Sequence, residues 1–174
     1  MLDKSSSLAV ILAILSFGCS YDVFPERFTK DLDHTFDFAT WRSIADHLPA
    51  TKVELGGRLI EAQTLQGKTT IVVQQLPIVK HPAYGPKLGK TKGEFVIDHR
   101  GPVNPGFLSQ GNRIMVVGTT RGMSRVVVDD IVRALPTIEA ACIHIWKTGD
   151  TEIADYSSAG AGYAVLEEET FCVS

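Results

Sequence analysis

The chain has 174 residues, 21% of them charged, and a formal net charge of −3 at pH 7. This length corresponds to one domain that is large enough to bury a hydrophobic core. The acidic balance leaves no basic excess to neutralise phosphates, so the composition argues against nucleic-acid binding.

An uninterrupted apolar run near the N-terminus extends from Leu8 to Cys19. It is shorter than the roughly 20 apolar residues that a membrane-spanning helix needs, and its length is typical of the core of a secretory signal. Leu15 to Cys19 is similar to a bacterial lipobox, with the small Gly18 just before the cysteine. We predict that residues 1–18 are a lipoprotein signal peptide and that Cys19 is the lipidated first residue of the mature chain.

Two other interpretations of this run stay open. Ser16 and Phe17 stand where a lipobox usually carries leucine and a small residue. The run is therefore also compatible with an ordinary secretory signal, in which Cys19 is unmodified, and with an uncleaved N-terminal anchor. No second apolar run follows Cys19, so the sequence predicts no later membrane span.

Residues 19–36 show no periodicity and are interpreted as a tether between the lipid and a folded domain. Whether Phe24 and Phe28 of this segment pack on the domain or are exposed stays open. An amphipathic helix is predicted after it, with Asp37 as its N-cap and Pro49 beyond its end. The residues that recur at helical spacing on its apolar face are Phe38, Trp41, Ile44, Ala45 and Leu48.

Strands are predicted from Lys52 onwards. Lys52 to Ala62 alternates apolar and polar residues, and its glycine pair, Gly56 and Gly57, predicts a bulge or sharp coil. A turn at residues 66–68 leads into a second strand, residues 69–76, that is rich in β-branched side chains. A curved strand, a tight turn and a second strand are how a small Greek-key barrel such as an OB-fold begins.

A loop of residues 80–93 follows, with three lysines, Lys87, Lys90 and Lys92. These charges suit the phosphates of lipopolysaccharide or of a lipid headgroup. The interpretation that we favour is a solvated loop, because no aromatic residues are interleaved with the lysines.

The second half of the domain predicts further strands at residues 94–98, 112–120 and 137–146, with a turn at residues 121–124. The segment 125–135 is left open between a helix and a strand. In the last strand, Ala141, Ile143 and Ile145 would share one face, and Cys142, His144 and Trp146 the other. Residues 148–174 are rich in glycine, alanine and serine, and they predict a poorly structured tail.

Motifs for catalysis, cofactor binding and metal binding were sought and none was found, so we predict no catalytic, cofactor-binding or metal-binding residue. The five histidines never pair at metal-ligand spacing. His99 beside Asp98 could be half of a triad, but neighbouring residues of a strand point to opposite faces. Cys142 and Cys172 remain as an even pair once Cys19 is acylated, and an oxidising compartment permits a disulfide between them.

Several segments resemble the Slp family of Gram-negative outer-membrane lipoproteins, the starvation-inducible lipoproteins. The segments that carry the resemblance are 53–60, 70–77, 93–98, 104–107, 114–122 and 143–146. The resemblance implies an outer-membrane lipoprotein that is linked to envelope maintenance under stress, with Cys19 as the lipidated residue. It supplies no molecular activity.

The sequence therefore predicts a mainly β protein: a signal peptide (1–18), a tether (19–36), an OB-like Greek-key barrel with a short N-terminal helix (37–147) and a tail (148–174). We expect a non-enzymatic structural or interaction module, anchored in the outer membrane and facing the periplasm. Its expected partners are the membrane, other envelope proteins and lipopolysaccharide. The alternative is an envelope protein that binds or processes an oligosaccharide or a peptide in the barrel groove.

Overall fold

The computed structural model describes residues 22–78, 90–149 and 166–173. The predicted signal peptide, Cys19 and Lys87 lie outside these ranges. Within them, no helix is long and apolar enough to cross a bilayer.

The described residues form two short α-helices, two 3-10 turns and six β-strands. The elements in chain order are α1 (Glu26–Thr29), α2 (Phe38–Ile44), a 3-10 turn (Ala45–His47), β1 (Lys52–Leu65), β2 (Lys68–Leu76), β3 (Glu94–Arg100), a 3-10 turn (Pro105–Phe107), β4 (Arg113–Val128), β5 (Ile131–Trp146) and β6 (Glu168–Cys172).

The first five strands close into a ring. Strand β1 pairs with β2 on one side and with β4 on the other, β2 pairs with β3, and β4 pairs with β5, all antiparallel. A short parallel pairing of β3 with β5 closes the ring. A five-stranded Greek-key barrel of this kind is the OB-fold, so the predicted fold class is confirmed.

Two tight hairpins connect the long strands. Gln66 and Gly67 have φ values of 51° and 77°, and Asp129 and Asp130 have φ values of 50° and 61°. Two-residue turns with positive φ match the right-handed twist of the strands that they join. The second hairpin settles the open segment 125–135, which forms the ends of β4 and β5 and not a helix.

The turn predicted at residues 121–124 is wrong, because β4 continues through it. The pairing of β4 with β5 shifts register between Thr120 and Met123, so the glycine at position 122 lies in a bulge. The segment after α2 supports this bulge, since the Met123 backbone N–H donates to Asp46 Oδ1 at 2.7 Å. A local turn signal was thus overridden by tertiary contacts.

The glycine pair of β1 does not form the predicted bulge, which instead lies between Leu59 and Glu61. Gly56 and Gly57 are needed because other parts of the chain pass close to them. A Cβ on Gly57 would meet the Val73 side chain, and one on Gly56 would lie 3.1 Å from Ile78 Cα.

The barrel interior is filled with aliphatic and aromatic side chains from all five strands, and α2 closes one end of it. Asp37 caps α2 by accepting the backbone N–H groups of Ala39 and Thr40, as predicted. Phe38 and Trp41 of this helix belong to the interior cluster. Ile44 does not, and is 43% exposed, because the backbone leaves the helical conformation at this residue (φ −140°, ψ 34°).

A second apolar cluster lies on the outer face of β4 and β5, and the N-terminal segment covers it. Phe24 is 2% exposed and packs with Met115, Val117 and Trp146. Of the two arrangements left open for Phe24, the structure contains the packed one. The apolar side chains of the described residues 22–36 find a partner surface on the barrel.

The end of the predicted tail is also ordered. Glu168–Cys172 forms β6, which pairs antiparallel with residues 142–146 of β5. Phe171 and Phe107 stack edge to face, with ring centroids 5.8 Å apart. The overall composition of the tail did not predict this strand, because the glycine- and alanine-rich stretch that dominates the composition precedes β6 in the sequence.

Candidate functional site

A groove lies on the outer face of β2 and β3, where the alternation of each strand turns one set of side chains away from the barrel interior. Its volume is about 680 Å³, and it is bounded on one side by residues 124–127 of the β4–β5 hairpin. Val72 and Val96 form part of its floor and pack with Val128 and Leu135 of that hairpin. The hairpin therefore folds back over the sheet.

The polar residues of the groove are largely engaged with one another. Lys68 Nζ lies 2.7 Å from Asp98 Oδ2, and the Thr70 hydroxyl donates to Asp98 Oδ1 at 3.0 Å. Arg125, on the hairpin, adds a positive charge to the lining, and Glu61 a negative one. The groove therefore combines an aliphatic floor with charges of both signs.

His99 lies inside the barrel, at the end of β3, and is fully buried. Within the part of the chain that the structure describes, neither of its ring nitrogens has a hydrogen-bond partner. Burial lowers the pKa of this imidazole, because a charged ring would be poorly solvated there. Asp98 is on the opposite face of β3, in the groove, so the structure does not bring the two residues together as a catalytic pair.

Cys142 and Cys172 are directly opposite each other in the β5–β6 pairing. Their sulfur atoms are 2.02 Å apart, which is a disulfide bond length, across a sequence separation of 30 residues. The structure thus brings together the two cysteines that the sequence left as an even pair.

Charged side chains at the base of the hairpin are also paired. Arg133 Nη1 lies 2.8 Å from Glu94 Oε2, and Arg121 Nη2 lies 2.7 Å from Glu139 Oε2. The hydrogen bond from Arg121 and its positive charge lower the pKa of the Glu139 carboxyl. These pairs hold the hairpin to the barrel.

A row of buried N–H donors lies on the outer face of β1, β4 and β5, and no sequence pattern predicts it. Arg58, Arg113 and Trp146 form this row. Only the strand register brings these residues side by side. Among the residues that the structure describes, no group of three or more histidine, cysteine or acidic side chains is placed to hold a metal ion.

The closed five-stranded barrel, with α2 packed into one end, defines a small β-barrel domain of OB type. The model of the family described as "Outer membrane lipoprotein Slp family" matches residues 17–167. The chain therefore belongs to this family and is an outer-membrane lipoprotein.

Two other comparisons were made. None of the curated proteins compared with the chain matches it. Among solved structures, a small single-stranded DNA-binding protein from Streptomyces coelicolor is similar with a TM-score of 0.37 and 13% sequence identity. The match covers 55% of this chain and 94% of that chain.

Proposed function

We propose that the protein is a non-enzymatic structural or interaction module of the cell envelope, anchored by lipid on Cys19, facing the periplasm and serving envelope maintenance under stress. Family membership supports the anchor and the outer-membrane location. The single observation that carries the structural role is the packing of α2 into one end of the barrel.

Helix α2 acts as a plug, because its aromatic side chains fill one end of the barrel interior. This packing bears on the function of the barrel. Phe38 and Trp41 are 4% and 1% exposed, and both rings stack against Phe95 of β3. An enclosed ligand site within the barrel would have to displace these rings. The surfaces that remain for function are therefore external, which suits contacts with other envelope components.

The position of the anchor limits the orientation of the domain relative to the membrane. Cys19 precedes Asp22 by three residues, a span of roughly 10 Å even when fully extended. Phe24 is already packed on the outer face of β4 and β5. We infer that this face lies next to the membrane and that the groove of β2 and β3 faces the periplasm.

A complementation experiment tests this function. A strain that lacks the protein is starved of carbon, and leakage of a periplasmic enzyme is measured with and without the wild-type gene. We expect starvation to raise leakage, the wild-type protein to restore the barrier, and Cys19→Ala to fail. A strain with an unchanged barrier, or full rescue by Cys19→Ala, would reject the proposal.

A second candidate function is recognition of an oligosaccharide or a peptide in the groove, and its mixed lining of valines and charges favours this candidate. It predicts that Val72→Glu, at the groove floor, abolishes rescue while the protein stays folded and membrane-bound. Under the structural role alone, a folded Val72→Glu protein rescues as the wild type does. Because Val72 is 4% exposed, folding is checked by circular dichroism.

A further inference from the structure

Three side chains form a row across neighbouring strands on the face that the N-terminal segment partly covers. Arg58 of β1 is opposite Arg113 of β4, and Arg113 is opposite Trp146 of β5. Directly opposed residues of antiparallel strands present their side chains on the same face. Trp146 packs with Met115 and Phe24, so this face is the outer one.

Each of the three side chains has a buried N–H group that finds no acceptor among the described residues. These groups are Nε of Arg58, Nε of Arg113 and Nε1 of Trp146. Arg113 is 3% exposed and Trp146 is fully buried, whereas Arg58 is partly exposed. The Arg113 guanidinium makes one hydrogen bond through Nη2, to the Pro77 carbonyl oxygen at 3.0 Å.

Among the described residues, no ion pair includes either guanidinium. One carboxylate lies at the end of the row, because Glu168 of β6 is directly opposite Trp146. Its Oε2 atom is 3.4 Å from His144 Nε2, and one carboxylate does not balance two guanidinium groups. On the same face of β1, Glu54 is four residues from Arg58, about 13 Å along the strand. The chain at Ile78 passes over Gly56 between them.

This arrangement keeps a net positive charge and unpaired donors, which an anion would satisfy. Like charges directly opposite in a sheet repel each other, and a buried guanidinium without a partner is costly. Burial, and then the charge of Arg58, lower the pKa of Arg113 to about 10. Arg113 therefore stays protonated at neutral pH and keeps its need for a negative partner.

We propose that Arg58, Arg113 and the indole N–H of Trp146 bind an oxyanion of the phosphate class. The row offers donors and positive charge, and a phosphate offers several acceptor oxygens and negative charge. Guanidinium groups also match the geometry of phosphate oxygens through two parallel hydrogen bonds.

Two sources supply this chemistry, a lipid headgroup and free phosphate. The proposal that a lipid headgroup is the ligand rests on the proposed function, because lipid on Cys19 would bring the membrane close to this face. Phe24, five residues after Cys19, packs beside Trp146. The binding of phosphate itself does not depend on the anchor.

The test uses full-length protein in dodecyl maltoside, a detergent without phosphate. Inorganic phosphate is titrated against sodium chloride of matched ionic strength while the thermal unfolding midpoint is recorded. A ligand that binds only the folded state raises this midpoint with concentration. We expect phosphate to raise it and chloride to have no such effect.

Three variants locate the site. Loss of one charged hydrogen-bonding group should weaken phosphate binding about tenfold in Arg58→Gln. Trp146→Phe keeps an aromatic ring but removes the N–H, so it should also weaken binding. Arg125→Gln, on the exposed hairpin, is the matched control and should bind as the wild type does.

The proposal would be overturned if phosphate did not raise the unfolding midpoint of the wild type more than chloride does. It would also be overturned if phosphate raised the midpoint of Arg58→Gln by the same amount. If Arg58→Gln does not fold, Trp146→Phe and the charge-conserving Arg58→Lys decide, and wild-type affinity in both would also overturn the proposal.

A second experiment repeats the phosphate titration in phosphatidylglycerol vesicles. Loss of the rise there identifies the headgroup as the ligand, and a persisting rise identifies free phosphate. Failure of Cys19 lipidation would leave the detergent titration unchanged.

Discussion

Phe38 of α2 stacks edge to face on Phe95 of β3, with ring centroids 5.8 Å apart and an interplanar angle of 71°. Aromatic pairs in this geometry contribute beyond the apolar area that they bury. The contact joins a helix that precedes the barrel to the strand that closes it. The helix is thus a part of the core, although it precedes the first strand in the sequence.

Truncation of the plug should be strongly destabilising. We expect Phe38→Ala to lower the free energy of unfolding by about 3–5 kcal/mol, because it leaves a cavity among packed rings. Ile44→Ala, in the same helix but 43% exposed, is the matched control and should change it by less than about 0.5 kcal/mol. Urea denaturation measures both variants. Equal small losses would contradict the assignment of α2 to the core.

Cys142 and Cys172 should be bonded in the exported protein. We expect mass spectrometry of unreduced protein to detect no free thiol at either position. In the chain-entropy model, the closed loop stabilises the fold by about 3.6 kcal/mol, so the double variant Cys142→Ala/Cys172→Ala should lower the free energy of unfolding by that amount. Two free thiols in protein isolated from the periplasmic side would count against the bond.

His99 should make stability dependent on pH. Burial lowers its pKa in the folded state below the ordinary value of 6.5, so the unfolded chain binds the proton more tightly. Stability should therefore be highest above about pH 6.5 and should fall as the pH drops below it. Guanidinium denaturation between about pH 5 and pH 8 measures this slope.

Replacement of His99 tests the assignment. His99→Leu should remove part of the slope, whereas His47→Leu, at an exposed position, should leave the slope unchanged. An identical slope in wild type and His99→Leu would show that other groups cause the pH dependence.

Much of the fold could be predicted from local patterns. Three kinds of short-range preference predicted parts of the fold that the structure contains. They are the alternation in β1 and the β-branched residues of β2, the turn at Gln66 and Gly67, and the Asp37 cap. The prediction of a turn at residues 121–124 was wrong because Asp46, far away in the sequence, accepts a hydrogen bond from the backbone there. The glycines of β1 were placed correctly in a strand, but their role depends on which segments pass over them.

The candidate sites were harder to predict because they depend on register. His99 and Asp98 could be separated by the alternation of a strand alone. The row of Arg58, Arg113 and Trp146 could not be found, since three strands must first be aligned. The sequence left open whether Phe24 packs on the barrel, because an irregular segment has no periodicity that would indicate a buried face.

Lipid on Cys19 is the central claim, and labelling of cells with a radioactive fatty acid, followed by membrane fractionation, tests it most directly. Several acyl chains on one residue bind a membrane stably, whereas a single chain binds only marginally. We predict that wild-type protein carries the label in the outer membrane and that Cys19→Ala remains an unlabelled precursor. Unlabelled wild-type protein, or Cys19→Ala that is processed and free in the periplasm, would contradict the account.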